Sequence, residues 1–281
     1  MAGACIGARH GEAAWPPHLT NLAGLDEVRM VADRITIRAA DGSDTPEATP
    51  APGQAETPTT GPSGDLPVHV SFLIDRSGSM SGLQGDVVGG FNSFVANQRN
   101  LPGGCRLTAV QFDGQNPYEV FRDGVDIGAV LDLTVQEYQP RGSTPLFDAL
   151  GNLIRSAEKR LADLGTAEDQ IIVVFTDGYE NASMTWTREA LFELVEAKKK
   201  EGWTFVFMGA NQDSYATGGG LGFDRGSTQN FRGDGMGTRT SFESVNLALA
   251  DYRTSNHEEK QRRKADFFDG RKEAEVDDLN R

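Results

Sequence analysis

The sequence predicts an α/β fold: an open, mainly parallel sheet with one antiparallel edge strand and helices on both faces. Apolar strands alternate with helical stretches of about 10 to 20 residues through most of the chain. Val68–Ile74 is a nearly continuous apolar and β-branched run, as a strand covered on both faces requires. Phe112 and Tyr118 are joined only by Asp113-Gly114-Gln115-Asn116-Pro117, short enough for a hairpin, which puts one antiparallel strand at the sheet edge.

The elements follow in order. Asp75 ends the first strand, and Leu83–Asn100 then carries Leu83, Val87, Val88, Phe91, Phe94 and Val95 at helical spacing before Gly and Pro stop it. Strands are expected at Arg106–Phe112 and, more briefly, at Glu119–Arg122. A helix spans Leu146–Leu164, with Pro145 suited to a first helical position. An apolar strand covers Gln170–Thr176, a helix Thr187–Glu201, a strand Trp203–Met208, and a last helical stretch begins near Thr240. Beyond Asn256 acids and bases crowd together with few apolar residues, so the tail is expected to leave the last helix for solvent.

The 281 residues exceed a typical single domain, and 38% are hydrophobic against 24% charged, so one local core with unpacked flanks is expected. The segment 39–67 is dominated by Pro, Thr, Ala, Gly and Asp and cannot bury enough surface to offset its ordering entropy. This divides the chain into a largely disordered N-terminal region with a linker (1–65), a folded domain (66–235), and a C-terminal helix with a charged tail (236–281). Leu22–Arg38 has apolar content for a short element but no motif.

The formal net charge of −14 argues against nucleic acid and anionic membranes as partners. Cys5 and Cys105, the two cysteines, offer neither a disulfide framework nor a thiolate zinc site. Met1–Pro17 lacks the form of a signal peptide, and nowhere do about 18 apolar residues run together. A cytoplasmic location is expected.

In an open parallel sheet, ligands collect outside the carboxyl ends of the strands. Three segments converge there: Asp75-Arg76-Ser77-Gly78-Ser79, Arg141-Gly142-Ser143-Thr144-Pro145, and Thr176-Asp177-Gly178. They bring two carboxylates and three hydroxyls without imidazole or thiolate, a hard-oxygen set suited to Mg²⁺ or Mn²⁺ and not to zinc. Neutral hydroxyls leave a cation under-neutralised, with room for an Asp or Glu from a protein partner.

Those three segments, in that order and strand context, resemble the metal-ion-dependent adhesion site of von Willebrand factor A-type domains over about Leu66–Phe231. The resemblance implies a Rossmann-like fold with Asp75, Ser77, Ser79, Thr144 and Asp177 around the metal. It implies direct coordination by Ser77 and Ser79, an indirect hold by Asp75, Thr144 joining when a ligand is bound, and Asp177 acting through water. The stretches Val173–Asn181 and Gly202–Asp213 resemble a bacterial and phage branch of that family with stress-related members.

Each segment has a plainer reading. Asp75 with its serines suits a helix-capping turn, Thr144 a cap before Pro145, and Asp177-Gly178 an ordinary strand exit. Asp148 is expected to bond backbone amides at its helix start. Arg76, Met80, Tyr179, Met184 and Trp186 are candidates for exposed contacts around the metal, each singly read more simply as packing, and Asn211 and Asp213 leave the next strand on the same rim, where loop bonding is the simpler reading. Lys198-Lys199-Lys200 reads as a solvated face complementing a helix dipole. The leading function is a non-enzymatic, metal-dependent protein-binding module. Its alternatives are a metal-dependent phosphatase or hydrolase, and a structural subunit of a stress-response or phage-derived assembly. Against an enzyme, Ser77 stands where phosphatases of this kind place a second Asp, no G-x-S-x-G occurs, and His69 lies about 20 Å of strand away from Asp75.

Overall fold

A computed structural model of the chain describes residues 66–210 and 213–275. The expectations for 1–65, including the linker, Leu22–Arg38 and Cys5, and for Asn211 lie outside the described residues.

Six strands form one sheet in the order β3-β2-β1-β4-β5-β6. They are β1 (Val68–Asp75), β2 (Cys105–Phe112), β3 (Glu119–Asp126), β4 (Asp169–Thr176), β5 (Thr204–Ala210) and β6 (Thr228–Phe231). Every pairing is parallel except β2 with β3, the antiparallel edge that the short connection predicts. β3 runs to Asp126, past the expected Arg122, with irregular register against β2.

The helices are α1 (Gln84–Arg99), α2 (Leu146–Leu164), α3 (Arg188–Lys200), α4 (Ser214–Gly220), α5 (Gly235–Thr254) and α6 (His257–Arg263). Side-chain alternation along the strands feeds two cores. On one face Val70, Phe72 and Ile74 of β1 pack with Phe91, Phe94 and Val95 of α1 and Phe242 and Val245 of α5. On the other, Leu73, Val110 and Val174 pack with Leu150, Leu153 and Ile154 of α2 and Leu191 and Val195 of α3. The Phe242 ring lies 5.7 Å from that of Phe72 and 4.9 Å from that of Phe175, so α5 is built into the central core.

α4, β6 and α6 have no counterpart in the sequence reading. β6 is short and mixes polar with apolar residues, Thr228-Gln229-Asn230-Phe231, so it lacks the strand signature. α5 starts five residues before Thr240, where Asp234 accepts from the Gly237 amide and sets its first turn.

The tail does not leave for solvent. Phe267 and Phe268 are fully buried, and their backbone amides donate to Ser227 Oγ and to the Gly226 carbonyl. Glu275 Oε1 accepts from the Asn230 amide of β6 at 2.9 Å and from the Tyr215 hydroxyl at 2.6 Å. Two aromatic anchors, together with Glu275, dock this charged segment beside β6. Among the described residues no helix is long and apolar enough to cross a membrane.

Candidate metal centre

β1 and β4 are hydrogen-bonded neighbours, yet the chain leaves β1 for α1 on one face and leaves β4 for α3 on the other. Their carboxyl ends therefore frame a crevice at the point where the strand order reverses. Asp75 and Thr176 are the last residues of these strands.

Asp75 is fully buried. Its Oδ1 accepts from the Ser77 amide at 2.7 Å and its Oδ2 from the Thr176 hydroxyl at 2.6 Å, and its carbonyl accepts from the buried Tyr138 hydroxyl at 2.5 Å. The Ser77 and Ser79 hydroxyls are 3.0 Å apart, and Ser79 donates to Asp177 Oδ1 at 2.6 Å. Thr144 completes the group. A methyl placed on Gly178 would sit 3.3 Å from Thr144 Oγ1, 3.6 Å from Ser79 Oγ and 3.8 Å from Asp75 Oδ2. All five sequence-predicted residues are thus brought together, and a glycine at 178 leaves the space between them open.

The two capping readings fail locally. Neither the short 3₁₀ turn Gly78–Leu83 nor α1 has a side-chain cap, and the one amide that Asp75 accepts from, that of Ser77, precedes both. α2 likewise has no side-chain cap of its own, its N-cap being Pro145, so the Thr144 hydroxyl is not spent there.

Burial pushes the Asp75 carboxyl up to about 6 despite the Thr176 and Ser77 hydrogen bonds, and the neighbouring Asp177 charge adds to the rise. Burial also raises the pKa of Asp177, against the bond from Ser79. Two desolvated carboxylates beside three hydroxyls are a donor set that a hard divalent cation would relieve. Among the described residues no three His, Cys, Asp or Glu gather as a metal-binding group, so neutral oxygens, with these hydroxyls at hand, would supply the rest of any shell.

The loops are tied together by backbone. The Gly78 amide donates to the Gly142 carbonyl at 3.0 Å and the Arg141 amide to the Arg76 carbonyl at 2.8 Å. Gly142 has φ +68°, a conformation that favours glycine.

Arg76 and Met80 are not exposed, in line with the simpler packing reading. Met80 is fully buried in the β1–α1 core. Arg76 is buried, with Nε 2.8 Å from Asp113 Oδ2 and its second amino group 2.6 Å from Glu119 Oε2. A carboxylate pair on the hairpin draws it inward. Asp113 also accepts from the Gln115 and Asn116 amides, and against the effect of burial these bonds and Arg76 hold its pKa below the usual carboxylate range. Tyr179 and Met184 are exposed, whereas Trp186 packs on Gly151 of α2. Asp148 bonds backbone amides, but those of Met184, Thr185 and Trp186 in the facing loop and not of its own helix start. Asp213 accepts from the Ala216 amide and caps α4. Lys198 is buried between Glu158 and Glu201 instead of solvated. Tyr138 carries no sequence signal.

Fold and site together define an open-sheet α/β domain with an oxygen-lined crevice at the switch point between β1 and β4. The von Willebrand factor type A domain model matches residues 69–238, more than half of the chain, and the chain belongs to that family. Among solved structures it is similar to the pilus adhesin SpaC from Lactobacillus rhamnosus GG in an open conformation, at 12% identity and TM-score 0.52 over 68% of this chain and 31% of that one. It is also similar to proximal thread matrix protein 1 from the mussel byssus, a structure with a zinc-occupied MIDAS motif, at 17% identity and TM-score 0.49 over 66% and 48%. A von Willebrand factor type A protein from Catenulispora acidiphila matches at 15% identity and TM-score 0.47 over 66% and 43%. The chain spans less than half the length of these solved structures. No curated protein sequence matches it.

Proposed function

We propose that this protein is a metal-dependent protein-binding module, in which Asp75, Ser77, Ser79, Thr144 and Asp177 hold Mg²⁺ or Mn²⁺ and the cation takes a carboxylate from an Asp or Glu of a partner. One observation carries the reading: three separate segments deliver two carboxylates and three hydroxyls to one crevice, and none of those hydroxyls is used to cap the helix beside it. The cation supplies positive charge to two buried acids. With few charged ligands it keeps enough charge to attract one more oxygen. The chain itself orients the donors through Thr176, Tyr138 and the loop-to-loop backbone bonds.

Affinity capture from native cells in Mg²⁺ and in EDTA, with Asp75→Ala as control, tests the proposal. Partners should be retained by the wild-type chain in Mg²⁺ and lost in both other arms. Capture that survives EDTA and Asp75→Ala together would overturn it. A cytoplasmic setting is part of the proposal, supported by the two-cysteine composition and by Cys105, a buried thiol. Cell fractionation tests that part.

A further inference from the structure

We propose that Asn181 is a positioning residue that holds Thr144 at the metal crevice, an inference that rests on the metal-binding reading. Asn181 grips the Thr144 backbone from both sides: the Thr144 amide donates to Asn181 Oδ1 at 2.8 Å, and the Asn181 amide donates to the Thr144 carbonyl at 3.1 Å. Asn181 lies four residues after Asp177 in the same loop. One short stretch therefore carries one candidate ligand and clamps the backbone of another.

The rest of the loop reinforces the grip. With no side-chain cap of its own, α2 has the amides of Phe147 and Asp148 bound by Glu180 Oε2 at 2.8 Å and Ser183 Oγ at 2.9 Å. In return the Asp148 carboxylate accepts from the amides of Met184, Thr185 and Trp186 at 2.8, 2.9 and 2.8 Å. The loop caps the helix and the helix caps the loop. Capping from outside leaves the Thr144 hydroxyl free to face Asp75 and Ser79 across Gly178.

The test is Mn²⁺ binding to the full chain, followed by calorimetry and by the electron paramagnetic resonance signal of free Mn²⁺, with melting curves as a folding control. Wild type should bind one Mn²⁺ and Asp75→Ala none. Asn181→Ala should weaken binding about tenfold, the loss typical of an outer-shell partner. Asn181→Asp keeps the Oδ acceptor and should restore at least wild-type affinity. If Asn181→Ala does not fold, Asn181→Gln, which displaces the acceptor by one methylene, is the weakening arm. In a Thr144→Ala background the Asn181 change should add less than about twofold, because its action passes through Thr144. Full additivity, unchanged affinity in the weakening arm, or failure of Asn181→Asp to restore binding would overturn the assignment while leaving the metal site intact. Failure of the wild-type chain to bind Mn²⁺ would instead overturn the underlying reading.

Discussion

Arg76→Leu is the sharpest test of how the crevice is built. The change keeps aliphatic bulk and removes a guanidinium whose Nε lies 2.8 Å and whose amino group lies 2.5 Å from Asp113 Oδ2. Asp113 is fully buried and would keep Arg141 at 3.1 Å and the amides of Gln115 and Asn116. Breaking a buried pair by removing one partner costs about 3–5 kcal/mol, and the surviving contacts put this case at the low end, about 3 kcal/mol. The lost contact to half-exposed Glu119 adds little. For a domain of this size that is a fall in Tm of about 6–12 °C, read by circular dichroism or calorimetry. Adding Asp113→Asn should recover part of the loss, since Asn keeps the oxygen that accepts the two amides and discards the stranded charge. A single variant melting within about 2 °C of wild type, or a double variant no better than the single, would refute the account of Arg76 as a buried counter-ion.

Other predictions follow from single contacts. Asp75→Asn should abolish Mn²⁺ binding yet raise the Tm of the metal-free protein, because it removes a fully buried charge whose proposed role is to hold the metal; a lower metal-free Tm would contradict this. Burial works to raise the Glu168 pKa, but the His69 ring and the Arg160 guanidinium at 2.8 Å outweigh it and hold the carboxyl down to about 2. Burial itself lowers the His69 pKa, so a neutral ring leaves Arg160 as the firm partner. A depressed carboxylate stabilises fully above its unfolded pKa near 4.5 and loses that stabilisation as pH falls toward 2. The stability gap between wild type and Glu168→Gln should therefore be steady above pH 5 and narrow as pH falls toward 2, and a gap that widens in acid would exclude the mechanism. Gly151→Ala would bring a methyl within 2.3 Å of the Trp186 ring, so despite better helix propensity it should destabilise by about 1–2 kcal/mol in urea titrations.

The parts of this protein that were legible in the sequence are those whose signal is local. Val68–Ile74 reads as a strand because a strand buried on both faces must be apolar at successive positions, and the short link after Phe112 fixes an antiparallel neighbour. Asp75 and Asp177 were legible as neighbours because they stand at or just past the ends of adjacent parallel strands, and Ser77, Ser79 and Thr144 because their loops leave the same edge of the sheet. What escaped notice depends on partners distant in sequence. Arg76 looks like a surface arginine until the hairpin places Asp113 and Glu119 against it. Lys198 looks solvated until α2 brings Glu158 to it. Phe267 and Phe268 look like accidents in a charged tail until Tyr252 of α5 and the turn before β6 receive them.

The same distinction explains why Asn181 was invisible although Thr144 was not. A hydroxyl just before Pro145 invites a capping reading from sequence, because a helix must satisfy its first amides somehow. The structure satisfies them from the loop after β4, through Glu180 and Ser183, while Asn181 holds the Thr144 amide just ahead of the helix. On the proposed reading that transfer matters to the crevice: with the cap supplied from across it, the hydroxyl beside the helix is left available to a cation. A residue that caps locally serves its own helix, whereas one freed by a distant cap can serve a ligand. Glu180 and Ser183 relieve Thr144 of the cap, and Asn181, four residues beyond Asp177 and without a motif, bears on Thr144 only through the backbone it grips.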